Sequence, residues 1–289
     1  QRIAGLLECI SVGFPRDSQS LMAGYVLETL NEDLKSKYGV NFSSVWHEGL
    51  TLGQFFEHVQ QAKTCPNLTV NRTLRDNAAQ LTPSLGPNMT IRVAIYIFPN
   101  MEVLDFAGPF EVFTTASRVH GLRNPDQPAL FEVYTIAQSA GAVQARAGLR
   151  VLPDYTFASS PQPNLLLVTG GVVNAELESS EVINWIIHFS KLVSVTASVC
   201  TGAFILAKAG LLTGRSATTH WEDIEDLRVT FPDVHVVENK RWVDEGDVVS
   251  SAGIAAGIDM SLHLVARFAG EALAQATARQ MDVPYARHA

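Results

Sequence analysis

From residue 91 onward, apolar residues fall in short unbroken runs that stop at glycine, proline or asparagine. Ile91-Arg92-Val93-Ala94-Ile95-Tyr96-Ile97-Phe98 ends at Pro99-Asn100, and a second run goes from Phe131 to Ala137. Asn164 to Thr169 leads into Gly170-Gly171, and Val193 to Val199 leads into Cys200-Thr201-Gly202. Their β-branched and aromatic content, cut off by turn residues, predicts strands. Two shorter runs, Val234 to Val237 and Val248 to Ser250, complete the set. Between the runs, helical spacing is expected near residues 103–119, 181–190, 203–209 and 256–268. Continuous apolar strands alternating with helices predict an α/β fold with a parallel sheet covered on both faces. Ligands of such sheets bind outside the carboxyl ends of the strands. That rule points to Gly170-Gly171, to Cys200-Thr201 and to whatever follows the first strand.

The segment before Met89 reads differently. Asp17-Ser18-Gln19-Ser20 is suited to cap a helix carrying Leu21, Tyr25, Val26, Leu30 and Leu34 at helical spacing. A second short helix is expected from Leu52 to Gln61, with turns at Cys65-Pro66-Asn67 and at Thr82 to Pro87. A boundary near Gly86 gives an extension over residues 1–88, of unknown fold and role, and a domain over 89–289. Asn41, Asn67, Asn71 and Asn88 all stand in N-x-S/T sequons, whereas no later Asn does. This fits either a secreted, glycosylated segment with Cys9 bridged to Cys65, or chance in a cytoplasmic protein. The cytoplasmic reading is the expectation. A start at Gln1 rather than Met is read as a removed leader or a fragment.

Composition narrows the function classes. Apolar residues make up 47% of 289, and charged residues 17%, which excludes a chain disordered throughout. The formal charge of −8 argues against a broad phosphate-binding surface, so no nucleic-acid partner is expected. No apolar run approaches about 18 residues, so no membrane partner is expected either. Three cysteines are too few for a disulfide scaffold. Neither H-E-x-x-H nor C-x-x-C occurs, and neither G-x-G-x-x-G nor a P-loop, so no metal and no cofactor are implied. The expected partner is a small-molecule substrate.

Cys200 carries the chemistry. It ends a buried strand and opens a helix through small residues, as a nucleophile on a strained strand-to-helix turn requires. A helix N-terminus favours an anion, so its thiol is expected below the free value of about 8.5. If the two loops are adjacent, the Gly171 and Thr201 amides are placed to stabilise developing charge. Asp105, in an apolar stretch after the first strand, is either a helix cap or the proton carrier beside Cys200. His220 reads as a histidine bracing the pocket wall, with a second base as the alternative, and Trp221 as core or pocket lining.

Five motifs then stand in one order: Leu104-Asp105-Phe106-Ala107-Gly108-Pro109, Thr169-Gly170-Gly171, Ser198-Val199-Cys200-Thr201-Gly202, Ala217-Thr218-Thr219-His220-Trp221, and Ser251 through Asp259. Together they resemble the ThiJ/PfpI superfamily, over about residues 89–285. Within it they are most similar to isonitrile hydratases and to the N-terminal domains of AraC-type regulators. The resemblance implies a class I glutamine amidotransferase-like, flavodoxin-like sheet between helices. It implies Cys200 as nucleophile, Asp105 as the acid in contact with it, Thr201 as an organising residue, and Gly170-Gly171 as a source of backbone N–H groups. Protease-like members carry His directly after the cysteine; Thr201 stands there instead, so peptidase activity is not expected. The implied reaction converts isocyanides to N-substituted formamides through a thioimidate, without a cofactor. The rivals are glyoxalase, deglycase or amidase chemistry at the same cysteine, and a non-catalytic sensing module of an AraC-type regulator. The latter is disfavoured by a chain that stops at Ala289 without a helix-turn-helix. A homodimer is expected, because Ile258, Leu262, Leu264 and Val265 exceed what one core face needs.

Overall fold

The structure, a computed structural model, describes residues 90–285. The helices expected near residues 21–34 and 52–61, the Cys9–Cys65 bridge, the boundary near Gly86 and the four sequons lie outside the described residues.

In chain order the strands are β1 (Ile91–Tyr96), β2 (Phe131–Ala137), β3 (Val143–Gln144), β4 (Arg150–Val151), β5 (Tyr155–Thr156), β6 (Leu165–Val168), β7 (Val195–Val199), β8 (Ser216–Ala217), β9 (His235–Val236), β10 (Trp242–Asp244) and β11 (Val248–Ser251). The α-helices are α1 (Val103–Arg123), α2 (Asn174–Glu178), α3 (Ser180–Ser190), α4 (Gly202–Lys208), α5 (Ile224–Thr230), α6 (Ala256–Ala269) and α7 (Glu271–Gln280). Seven strands form the main sheet in the order β10-β11-β7-β6-β1-β2-β5. Every pairing is parallel except β10 with β11, where Trp242 lies opposite Ser251. The short connection around Gly246 permits only that antiparallel hairpin, whereas α1 and α3 supply the long crossovers that parallel neighbours need. Helices over both faces bury β6 and β7 at every position, which is why those runs are apolar without alternation.

Strand order reverses between β1 and β6, so a crevice opens at their carboxyl ends. This is the flavodoxin-like arrangement expected of the motifs. The apolar runs overshoot the strands: Ile97 and Phe98 lie beyond β1 yet remain buried. The run at Val234 to Val237 departs from expectation, since only His235 and Val236 pair, with β8 in a separate two-stranded sheet.

The apolar residues of α6 that suggested a homodimer serve the protomer's own core. Leu262, Leu264 and Val265 are fully buried within the protomer, because α6 packs against both α1 and α7 as well as β10 and β11. Ile258 lies against Gly108 of α1. A helix covered by two helices and the sheet edge carries a wide apolar face for its own core.

One ionic cluster ties the hairpin to α6. Asp244 Oδ2 meets His263 Nε2 at 2.6 Å, and Arg267 Nη1 donates to both carboxylate oxygens at 3.0 and 2.9 Å. Trp242 stacks on the His263 ring with centroids 5.3 Å apart.

Candidate active site

Backbone hydrogen bonds sew the loop after β1 to the loop after β6. Met101 bridges Gly171, Glu102 N donates to the Gly170 carbonyl at 2.8 Å, and Val172 N donates to the Asn100 carbonyl at 3.1 Å. This seam sets the first turn of α1, and with it Asp105, against Gly170 and against the turn that leaves β7.

That turn is an elbow. Cys200 adopts φ of 56°, a left-handed conformation that costs a non-glycine residue on the order of 1 kcal/mol. Its neighbours hold it there. Cys200 N donates to the Ser251 carbonyl at 3.2 Å, and Thr219 Oγ1 donates to the Cys200 carbonyl at 2.8 Å. Gly170 lets the strand ends meet: a methyl group on it would stand 2.7 Å from Thr201 N and 2.8 Å from both Asp105 Oδ2 and Cys200 Cβ. Any side chain at 170 would push Cys200 and Asp105 apart.

Asp105 is completely buried. Its Oδ2 accepts from Gly170 N at 3.0 Å, and its Oδ1 is buried without a hydrogen-bond partner. Desolvation pushes this carboxyl up to about 7; the Gly170 amide opposes the rise, the Glu102 charge adds to it, and the Cys200 thiol against the carboxyl opposes it. A group so placed holds and releases a proton near neutrality.

The thiol differs from the sequence expectation. Cys200 is pushed up to about 12, first by burial and then by the Asp105 charge, with the Thr201 amide and hydroxyl only partly offsetting them. The expected lowering rested on a helix N-terminus, but α4 has only seven residues and the neighbouring carboxyl outweighs it. At rest Cys200 is a thiol.

The glycine amides are also committed differently. Gly170 N–H goes to Asp105, and Gly171 N–H donates to Thr201 Oγ1 at 2.8 Å, while Thr201 Oγ1 donates back to the Gly171 carbonyl at 2.8 Å. Neither amide is a free donor for an intermediate in this state. Both instead fix the acid and Thr201, and the Thr201 amide, which faces the sulfur, is the remaining donor.

His220 reaches the site from the segment after β8, its side chain 15% exposed. Trp221 is 75% exposed, so it is not the core residue the sequence suggested. Three residues near the thiol were not singled out from sequence: Thr219, Asp223 and Gly253. Thr219 and Gly253 do lie inside the quoted motifs, so the signal was present there; nothing marks Asp223 among its acidic neighbours.

A model of the DJ-1/PfpI family matches residues 91–267. An isonitrile hydratase of Pseudomonas putida is 30% identical over 195 residues, covering 67% of this chain and 79% of that protein. The HTH-type transcriptional regulator CdhR of Pseudomonas aeruginosa is 28% identical over 184 residues, and the chain spans about half of its length, 52%. Among solved structures, a ThiJ/PfpI family protein from Pseudomonas syringae superposes with a TM-score of 0.59 at 26% identity, over 71% of this chain and 83% of that one.

Proposed function

This chain belongs to the DJ-1/PfpI family, and from that premise we propose that it is a cysteine-dependent hydratase acting on isocyanides. One observation carries the reading: a fully buried carboxyl, poised near neutrality, lies against the thiol of an elbow cysteine that is followed by Thr201 rather than by histidine. An isocyanide carbon is both electrophilic and in need of a proton, and thiol and acid side by side meet both demands. The Cys200 S–H bond breaks as sulfur bonds to the carbon; Asp105 gives its proton to that carbon and takes up the thiol's, giving a thioimidate. Water oxygen then bonds to the thioimidate carbon as one proton passes by way of Asp105 to nitrogen; the C–S bond breaks, the remaining hydroxyl proton returns to sulfur, and an N-substituted formamide leaves. The Thr201 amide holds charge on the sulfur, and no cofactor takes part.

The test is incubation with an aryl isocyanide, following formamide release and a Cys200 adduct by mass spectrometry. Formamide at rates well above the Cys200→Ala variant is the expected result. No adduct and no formamide would end the reading. A second reading has its own support, since regulators such as CdhR are similar over the same domain. It predicts reversible small-molecule binding with no turnover. Glyoxalase, deglycase or amidase chemistry would appear as consumption of methylglyoxal, a glycated amine or an amide by the same cysteine.

No helix among the described residues is long and apolar enough to cross a membrane. Cytoplasmic residence belongs to this proposal, with secretion as the rival; a shift in mass on glycosidase treatment of natively expressed protein would favour the rival. Pairing into a homodimer is likewise a proposal, decided by sedimentation.

A further inference from the structure

One residue of β1 holds the glycine loop from both flanks. Tyr96, the last residue of the strand, is buried and pairs in register with Val168 of β6. Its carbonyl accepts from Thr169 Oγ1 at 2.8 Å, immediately before Gly170. Its hydroxyl donates to Glu176 Oε2 in α2, on the far side of Gly171. The span from 169 to 176 is thus fastened to the sheet at its start by the backbone of Tyr96 and at its end by the side chain. Between those ends lie the two amides that fix Asp105 and Thr201.

Glu176 is an expensive residue to place there. It is buried, and burial raises its carboxyl above the ordinary range, opposed only by the Tyr96 hydroxyl. No cation among the described residues offsets its charge. The Tyr96 ring lies among Phe98, Phe157 and Trp185, with centroids 5.6, 5.5 and 5.8 Å away, so the polar pair is set in an apolar wall. Two apolar side chains of the same shape would fill this space at little cost to stability. What the pair adds is direction, since a charge-assisted hydrogen bond holds both groups to a narrow geometry.

We propose that Tyr96 and Glu176 are positioning residues that hold the Gly170 amide on Oδ2 of Asp105, and so keep the acid in register with Cys200. The chain of contacts is short. Glu176 fixes α2 just beyond Gly171, Thr169 Oγ1 fixes the peptide leading into Gly170, and Gly170 N–H ends on Asp105 at 3.0 Å. The fit is close, since a carbon on Gly170 would stand 2.8 Å from both Asp105 Oδ2 and Cys200 Cβ. Burial raises the Asp105 carboxyl, and the Gly170 amide is the first group to oppose it; the Glu102 charge adds to the rise and the Cys200 thiol opposes it. A loop that drifts weakens that amide's hold. The carboxyl then climbs further above 7 and keeps its proton too firmly for transfer.

This role holds for any chemistry that uses Asp105 and Cys200, and only the turnover arm of the test rests on the hydratase reading. The full chain is used with both partners replaced, Tyr96→Phe together with Glu176→Leu, which leaves no buried polar group unpaired. Its thermal midpoint should stay close to that of wild type. The titration of the Asp105 carboxyl is followed by infrared absorption of its protonated form and assigned with Asp105→Asn; its midpoint should rise by about one pH unit in the double variant. Formamide release from an aryl isocyanide should fall about tenfold in kcat with KM little changed. Glu176→Gln, which keeps an acceptor for the Tyr96 hydroxyl, should match wild type in both. An unmoved Asp105 titration in the double variant would overturn the proposal, as would a Glu176→Gln protein shifted as far. Tyr96→Phe alone makes the same comparison if the double variant does not fold, and an unmoved titration there is equally fatal. A shifted titration in a protein that makes no formamide even as wild type removes the substrate assignment and leaves the positioning role in place.

Discussion

The Gly170 amide donates to Oδ2 of Asp105 at 3.0 Å while Oδ1 of the same carboxyl lies buried with no partner. One oxygen is thus a fixed anchor, and the other is left to carry a transferable proton.

Asp105→Asn separates those two duties. The amide oxygen still accepts from Gly170, so the loop seam should persist, but the amide has no proton to give. We expect both formation of the Cys200 adduct with an aryl isocyanide and turnover to fall about 10²–10⁴-fold. Rapid-quench mass spectrometry would show the slowed appearance of the adduct. Retention of most turnover would reduce Asp105 to an anchor for the Gly170 loop.

The same variant has an opposite effect on stability. Burial raises the Asp105 carboxyl to about 7, well above its ordinary value near 3.8. The folded state therefore binds this proton more tightly than the unfolded chain does. Its contribution is complete below about pH 4 and is lost as pH rises through 7. Asp105→Asn never bears the buried charge, so its stability relative to wild type should grow by roughly 2–4 kcal/mol from pH 4 to pH 8. Thermal midpoints of both proteins across that range are the measurement, and parallel curves would refute it.

Gly253→Ala should damage reactivity more than folding. The added carbon would stand 2.4 Å from His220 Cδ2 and 2.9 Å from Cys200 Sγ, so the ring must swing outward, where it is already partly exposed. Alkylation of Cys200 should slow at least about tenfold, with a loss of stability of about 1–3 kcal/mol. Wild-type reactivity in this variant would mean that the added carbon does not crowd the thiol.

Asp244 gives the contrasting pH dependence. Burial alone would raise its carboxyl, but His263 and Arg267, helped by the Gly246 amide, hold it below the usual value. Its contribution is therefore present above the ordinary carboxyl range and lost as pH falls through the lowered value. Asp244→Asn should cost about 1–3 kcal/mol at pH 7 in chemical denaturation, and the difference should shrink in acid. An equal cost at pH 3 and pH 7 would exclude the ionic origin.

The sequence displayed the fold wherever burial on both faces leaves a continuous apolar run, as at β1, β2, β6 and β7. It was silent at β3, β5 and β8, two-residue strands too short to show a period. It was silent too at α7, where the buried stripe includes small residues, Ala274 and Ala278, that resemble surface alanines. At the site, Cys200, Asp105 and Thr201 were legible because each occupies a strand end or an apolar setting that a polar group needs a reason to enter. The direction of the thiol shift was not, since it depends on two side chains 95 positions apart meeting in space. The partners of the glycine amides were hidden for the same reason. Gly253 does its work through an absence, which only neighbouring atoms reveal.

The anchoring of the elbow also sets an order in time. The Cys200 amide is bound by the carbonyl of Ser251, and its carbonyl by the hydroxyl of Thr219. A growing chain that has released Cys200 but not β11 has the cysteine without the contacts that bend it. During synthesis the thiol would thus stay an ordinary, accessible one until the last parallel strand docks, and only completion of the sheet would bury it and push it up. Pulsed thiol labelling during refolding would see that moment as protection gained at one residue, coincident with the final folding phase.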